Sequence, residues 1–302
     1  MIDNNSLVSI GMPVYNDKTF LAKALNSLLA QSWTNFELII SDDGSTDGSE
    51  QICRSYSNMD PRITYIRQEK NLGISRNMEF LLSRAKGKYF MWAANDDLWH
   101  PNFISFLVEL LEKNSKAVSA FCSMYFIGED DNKLDYPSGR STDYSGNTPS
   151  IRLKKLISIF DDSFGYGLFR RDSIMGVKFP VWLWPNKYCP YNNIYPSLCY
   201  YLAKGDFVLN KKKLWYNRLK DEGNINHKIP YNNTFIRASI SLSLRKINLV
   251  LFSLWQIWRA NYSLKLVLQI TPRMIFSWFV IPSISEFKNR YRKARNNQLS
   301  LL

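Results

Sequence analysis

The feature that most constrains this chain is an alternation. Up to Lys113, four short apolar runs with strand character each lead into a segment whose apolar residues recur at helical spacing. The strand runs are Leu7–Met12, Phe36–Ile40, Ile63–Arg67 and Lys88–Ala93. The helical segments are Asp17–Ala30, Gly48–Tyr56, Ile74–Ala85 and Pro101–Lys113. Such alternation predicts right-handed βαβ units and a mainly parallel sheet flanked by helices, an α/β fold of Rossmann-like kind. In sheets of this kind, ligands bind beyond the carboxyl ends of the strands. The polar clusters Tyr15-Asn16, Asp42-Asp43, Asn71 and Asn95-Asp96-Asp97 all fall at such ends, which predicts one shared site. Neither GxGxxG nor GxxxxGK[ST] occurs in these turns, which argues against a dinucleotide fingerprint or a P-loop.

Downstream, the pattern predicts a strand over Ala117–Ile127, a polar loop over Gly128–Pro149 and a helix over Ile151–Ile159. A short strand within Phe164–Arg171 then leads into a helix. An aromatic, proline-punctuated stretch around residues 180–196 precedes a helix over Ser197–Lys204, which Gly205 ends. Two further strands are expected at Phe207–Leu209 and Leu214–Arg218.

Asp96 and Asp97 stand at the exit of a buried strand, where two carboxylates are costly to desolvate without a cationic partner. A divalent metal carrying a diphosphate is one such partner, because hard cations prefer carboxylate oxygen. The other reading is that Asp97 caps the following helix and Asp96 is solvated.

Charge and cysteines narrow the setting. The net charge is +13, and it is concentrated at the C-terminal end, where residues 234–302 carry eleven Lys/Arg against the single acid Glu286. Apolar runs there, such as Ile247–Trp258 and Met274–Ile284, are interrupted by charge or by Pro282 before reaching the roughly twenty residues of a membrane span. Trp255, Trp258 and Tyr262 are interleaved with Arg259, Lys265 and Arg273, the composition of helices lying in a membrane interface. An anionic membrane surface is the expected partner of that tail, and nucleic acid is not. Four cysteines, Cys53, Cys122, Cys189 and Cys199, have neither CxxC nor zinc-site spacing and are expected to be reduced and mostly buried. Met1–Ser6 lacks the basic and then apolar pattern of a signal peptide.

As an ordered set, the motifs resemble those of family 2 glycosyltransferases with the GT-A fold. They are Val8-Ser9-Ile10 with Pro13-Val14-Tyr15-Asn16, then Asp42-Asp43-Gly44-Ser45-Thr46-Asp47, then Asn71-x-Gly73 with Arg76-Asn77, then Asp96-Asp97 and Pro101. The resemblance extends over about residues 7–220 and implies site roles. Pro13 and Tyr15 would pack on the nucleotide base and ribose. Asp42 would accept a hydrogen bond from the base, and Asp43 would turn the loop or touch ribose. Arg76 would lie near the diphosphate, with Asn95 beside it. Asp96, with Asp97, would hold Mn²⁺ or Mg²⁺ bridging the two phosphates.

The chain departs from that family's pattern in three places. Ala94 replaces the first Asp of the usual Asp-x-Asp-Asp, so the metal is expected to bind only together with the nucleotide diphosphate. Asn192 and Asn193 stand where inverting members carry the carboxylate base, and an amide cannot deprotonate an acceptor hydroxyl. Asp161 and Asp162 are the substitute candidates. Lys220 stands where the family often has a His near the metal or diphosphate; an ammonium cannot ligate a metal but can pair with phosphate.

These expectations combine into a GT-A glycosyltransferase domain over residues 1–233 and a basic, aromatic, membrane-associating helical tail over residues 234–302. The implied activity is transfer of a sugar from a nucleotide donor, expected to be UDP-linked, to a glycan or lipid-linked acceptor in cell-surface polysaccharide biosynthesis. By resemblance it inverts the anomeric centre, at the cytoplasmic face of the cell membrane and peripherally. The alternative is a nucleotide-sugar-binding or assembly subunit that has kept the fold and lost the chemistry.

Overall fold

The computed structural model describes residues 6–135, 142–146, 148–159, 163–179, 195–220 and 235–277, with the side chains of 235–246 and 248 left aside. Its centre is an eight-stranded mixed sheet of order β3-β2-β1-β4-β7-β6-β8-β5. The first half follows the predicted alternation: β1 (Val8–Val14), α1 (Lys18–Leu29), β2 (Phe36–Asp42), α2 (Ser49–Met59), β3 (Ile63–Arg67), α3 (Ile74–Arg84) and β4 (Tyr89–Trp92). β1 pairs in parallel with both β2 and β4, and β2 with β3.

β1, β2 and β4 are buried on both faces, and their side chains alternate between two apolar layers. Leu38, Ile40, Tyr89 and Met91 join the layer of α1 residues Leu21, Leu25 and Leu28. Ile39, Phe90 and Trp92 point the other way, into the layer with Leu81 of α3.

After β4 come β5 (Leu98–Trp99), α4 (Phe103–Lys113), β6 (Ala117–Ile127), α5 (Pro149–Ile159) and a 3-10 turn at Ser163–Tyr166. β7 (Leu168–Arg170), α6 (Arg171–Ile174), α7 (Tyr195–Lys204) and β8 (Asp206–Arg218) complete the sheet region. β7 runs antiparallel between β4 and β6, which makes the sheet mixed.

Two expectations need correcting. β5 was not foreseen, because two residues carry no period; it exists through its antiparallel pairing with Trp215 and Tyr216. The two strands expected beyond Gly205 are one, β8, whose register against β6 jumps from Asn210 to Lys213. Lys211 and Lys212 form that bulge, and their polarity makes a continuous strand read as two.

The basic tail forms α8 (Phe235–Asn261) and α9 (Leu264–Ile275). No helix among the described residues is long and apolar enough to cross a membrane. Leu249, Ile257 and Ala260 of α8 and Leu266, Ile270 and Met274 of α9 are buried in the same apolar layer as Phe164, Leu198 and Tyr201. Their opposite faces expose Leu251 (60%), Trp255, Trp258, Tyr262, Leu264 and Leu268 (64%). Cys53, Cys122 and Cys199 are free and buried, and burial pushes each thiol up to about 12; Cys189 lies outside the described residues.

Candidate functional site

The carboxyl ends of β1, β2 and β4 are tied into one platform. The Asp43 amide donates to the Val14 carbonyl (2.9 Å), and the Ala93 amide to the Gly11 carbonyl (3.0 Å). Asn16, held at φ 48°, accepts from the Thr46 amide (2.7 Å), while its own amide donates to Ser45 Oγ (3.0 Å). Asp47 accepts from the Lys18 amide (2.9 Å) and the Ser49 amide (3.0 Å), so one carboxylate serves the starts of both α1 and α2.

Over this platform lies a cavity of about 440 Å³. Pro13, Tyr15, Asp43 and Asn95 line it, as expected, together with Asp17, Asn71 and Gly73. Tyr15 is about half exposed and offers its ring to the cavity. Asp43 also builds the wall: its carboxylate accepts from the Leu72 amide (2.7 Å) and the Gly73 amide (2.9 Å). Gly73 takes φ +77° there, a conformation that a side chain would strain. Asp43 thus turns the loop and also lines the cavity.

Of the expected site residues, Asp42, Arg76, Asp96, Asp97 and Lys220 are not among those lining the cavity. Asp42 is fully buried and is not among the lining residues. Its carboxylate accepts from the Ser45 amide (2.8 Å), Tyr65 OH (2.8 Å) and Arg67 Nη1 (3.0 Å), which leaves no oxygen turned towards a base. Arg76 is exposed on α3 and does not line the cavity.

Asp97 neither caps α4 nor faces the cavity; the α4 cap residue is Asn102. Its buried carboxylate accepts from Trp215 Nε1 (2.8 Å), the Arg218 amide (2.8 Å) and Asn217 Nδ2 (3.3 Å). Burial and then the neighbouring Asp96 charge raise its pKa to about 7, against those three donors.

Asp96 meets a cation that the chain itself supplies. Lys220 Nζ lies 2.9 Å from Asp96 Oδ2 and also pairs with Asp17. Its pKa is raised: burial opposes the shift, and the hydrogen bonds to the two carboxylates outweigh it. Arg218 Nε donates to the Asp96 carbonyl (2.8 Å), and the guanidinium sits over the Phe20 ring at 4.2 Å. The expected pair of metal carboxylates is therefore not what the fold builds. Asp97 is spent on β8, Asp96 is paired with an ammonium, and the described residues contain no group of three or more His, Cys, Asp or Glu able to hold an ion. This donor set does not fit a resident divalent metal.

The far end of the cavity was not legible in the sequence. It is lined by Asn77 and Met78 of α3, Trp92 of β4, Phe179, and Ser197, Leu198 and Tyr201 of α7. Gly165 and Tyr166 of the 3-10 turn close over it, and a side chain at Gly165 would come 3.1 Å from Leu198 Cδ2. The base candidates Asp161 and Asp162, and the Asn192-Asn193 pair, lie outside the described residues.

The glycosyl transferase family 2 model matches residues 9–177, from the first residues of β1 to just past α6. The chain belongs to this family. Among its relatives, an uncharacterized glycosyltransferase of Rickettsia typhi is 36% identical over 180 residues, covering 53% of this chain and 55% of that protein. The putative teichuronic acid biosynthesis glycosyltransferase TuaG of Bacillus subtilis is 33% identical over 129 residues, covering 43% and 51%. The matches thus span about half the length of these relatives.

Among solved structures, Staphylococcus aureus TarS 1–349 in complex with UDP-GlcNAc aligns with TM-score 0.64 and 17% identity, over 91% of this chain and 73% of that one. A mannosyltransferase of Pyrobaculum calidifontis in complex with GDP-Man and Mn²⁺ aligns with TM-score 0.51 and 13% identity, over 98% and 80%. At these identities the likeness is one of fold, and the fold is GT-A.

Proposed function

We propose that the protein transfers a glycosyl group from a nucleoside diphosphate sugar, UDP-linked, to a glycan or lipid-linked acceptor in cell-surface polysaccharide assembly, with inversion at the anomeric carbon. One observation carries this reading. One cavity joins the strand tips of β1, β2 and β4, where Tyr15 and Asp43 lie, to an aromatic end lined by residues of α3 and α7. That shape suits a flat base at the open end and a compact ring at the closed end.

Each residue has a task under this reading. The Tyr15 ring gives the base a face to stack on. Asp43 and the Leu72 and Gly73 amides fix the wall along the ribose. Lys220 holds Asp96 to Asp17, which lines the cavity as Asn95 does, and its ammonium would be the group to pair with a diphosphate lying there. A divalent ion arriving with the diphosphate would meet the single carboxylate of Asp96 and would have to displace that ammonium. Asp161 and Asp162 directly precede the Ser163–Tyr166 turn that closes the cavity, which keeps them as the candidates for accepting the acceptor's proton.

The tail supports a lipid surface as partner. The apolar stripe of α8 and α9 is flanked by Arg259, Lys265 and Arg273 in a segment with one acid. Residues 1–233 then carry the transfer and 234–302 the attachment.

Thermal-shift and turnover assays with a panel of nucleotide sugars, with and without Mn²⁺, test the proposal. Stabilisation by uridine nucleotides and sugar release or transfer are expected, with Asp161→Asn or Asp162→Asn abolishing turnover while binding persists. Binding without any turnover in the wild type would favour the nucleotide-sugar-binding subunit, the reading that Asn192 and Asn193 motivate. Failure of every nucleotide to bind would defeat both.

A further inference from the structure

At the end of β4, Ala94 brings no side-chain oxygen and Asp97 is spent on Trp215 and Arg218, which leaves Asp96. That carboxylate is already engaged. Lys220 Nζ lies 2.9 Å from Asp96 Oδ2 and also pairs with Asp17 Oδ2, so two carboxylates share one ammonium. Backbone bonds bring it there. The Arg218 amide donates to Asp97 (2.8 Å), Arg218 Nε donates to the Asp96 carbonyl (2.8 Å), and the Leu219 amide donates to the Ile127 carbonyl (2.9 Å). The end of β8 is thereby sewn to the Asp96-Asp97 loop, with residue 220 beside it. The Phe20 ring, 5.7 Å from Nζ, adds a second attraction for the cation.

An ammonium offers three N–H donors and no acceptor. Two carboxylates take two of them, and the side chain is still 32% exposed, so the third can meet an oxygen brought by a ligand. Asp17, the residue before α1, lines the cavity, so a ligand lying there comes up against this pair. A divalent ion seeking the same two carboxylates would have to expel the ammonium from both and leave it partly buried without a partner. A diphosphate has to expel nothing.

We infer that Lys220 neutralises the departing nucleoside diphosphate, in the role that the family resemblance assigns to a divalent ion, and that nucleotide binding by this protein needs no metal. The inference rests on the glycosyl-transfer reading and deepens it. In that reaction the bond from the anomeric carbon to the diphosphate breaks with its electron pair on the phosphate oxygen. The acceptor oxygen bonds to the carbon, and its proton passes to the base. Lys220 keeps its own proton and stabilises the new phosphate charge through a charge-assisted hydrogen bond. Asp17 and Asp96 are positioning residues, which hold the ammonium in place.

Calorimetric titration of the full chain with UDP, GDP, dTDP and CDP, in excess EDTA and again in excess Mn²⁺, tests this. The preferred nucleotide should bind the wild type with the same affinity in both, within about twofold. In EDTA, Lys220→Met should bind it about tenfold more weakly, and Lys220→Arg should recover most of the loss. The parent nucleoside, which lacks the diphosphate, should bind Lys220→Met and wild type alike.

The inference is overturned if Mn²⁺ tightens wild-type binding tenfold or more, a result that needs no variant and spares the donor reading. It is overturned too if Lys220→Met binds the nucleotide in EDTA as the wild type does. Equal loss of nucleoside and nucleotide affinity in that variant would make Lys220 a structural residue and overturn it likewise. If none of the four nucleotides binds, the donor reading falls and the inference falls with it.

Discussion

A carboxylate withdrawn from water needs a donor for each of its lone pairs, and Asp42 finds them in Ser45, Tyr65 and Arg67. Asp42→Ala leaves a phenol and a backbone amide without their acceptor, and the Arg67 guanidinium with Glu50 alone. It should destabilise the fold by about 3 kcal/mol, read as a lower urea midpoint with an unchanged slope. Asp97 behaves differently, because burial and Asp96 raise it to about 7. A folded value above the roughly 3.9 of an unfolded aspartate means that the fold favours the neutral acid. That contribution is complete below about pH 4 and is lost as pH rises through about 7. The thermal midpoint should therefore fall between about pH 4 and 7 and level off above, and Asp97→Asn should flatten the fall. The sequence shows that both aspartates sit at strand ends. It does not show which way a carboxylate turns, because the partners that decide this, Arg67 and Trp215, belong to other strands, and Trp215 is 118 residues from Asp97.

At the scale of elements, the βαβ half was legible because each strand and helix carries its own period and polar punctuation; β3 begins and ends where its apolar run does. The second half was less so. β5 and the continuity of β8 depend on pairing between distant segments, and the closed end of the cavity depends on α3, β4 and α7 meeting. The stripe on α8 and α9 was visible as composition, whereas which residues face outward required the packed opposite face. Leu251→Glu with Leu268→Glu should reduce co-sedimentation with vesicles containing anionic lipid by at least tenfold and leave nucleotide affinity unchanged. Equal sedimentation of variant and wild type would remove the lipid surface as a partner.

For the molecule as a whole, the proposed boundary at residue 233 divides function more than it divides the apolar interior. Leu249, Ile257, Leu266, Ile270 and Met274 share one buried layer with α7 and the sheet. Each contributes about 1.5–3 kcal/mol of burial, comparable in sum with the whole stability of a typical domain. A chain ending at residue 233 should therefore lose cooperative thermal unfolding and bind a hydrophobic dye, as measured by calorimetry and dye fluorescence. A sharp transition at the wild-type temperature would show that the tail is energetically separate.

β8 runs beside β6 along its length, but β5 covers its outer side only at Trp215 and Tyr216. Before Leu214, whose carbonyl accepts from the His100 amide (2.9 Å), no strand among the described residues pairs with that side, and an unpaired edge is the usual route to fibrous self-association. Lys211, Lys212 and Lys213 stand on that border, and the bulge bends it out of line. A second molecule adding its own strand would face the exposed Lys211 and Lys212 and a broken register, which would let the protein reach high local density, as the proposed attachment to a surface requires, without zipping into aggregates.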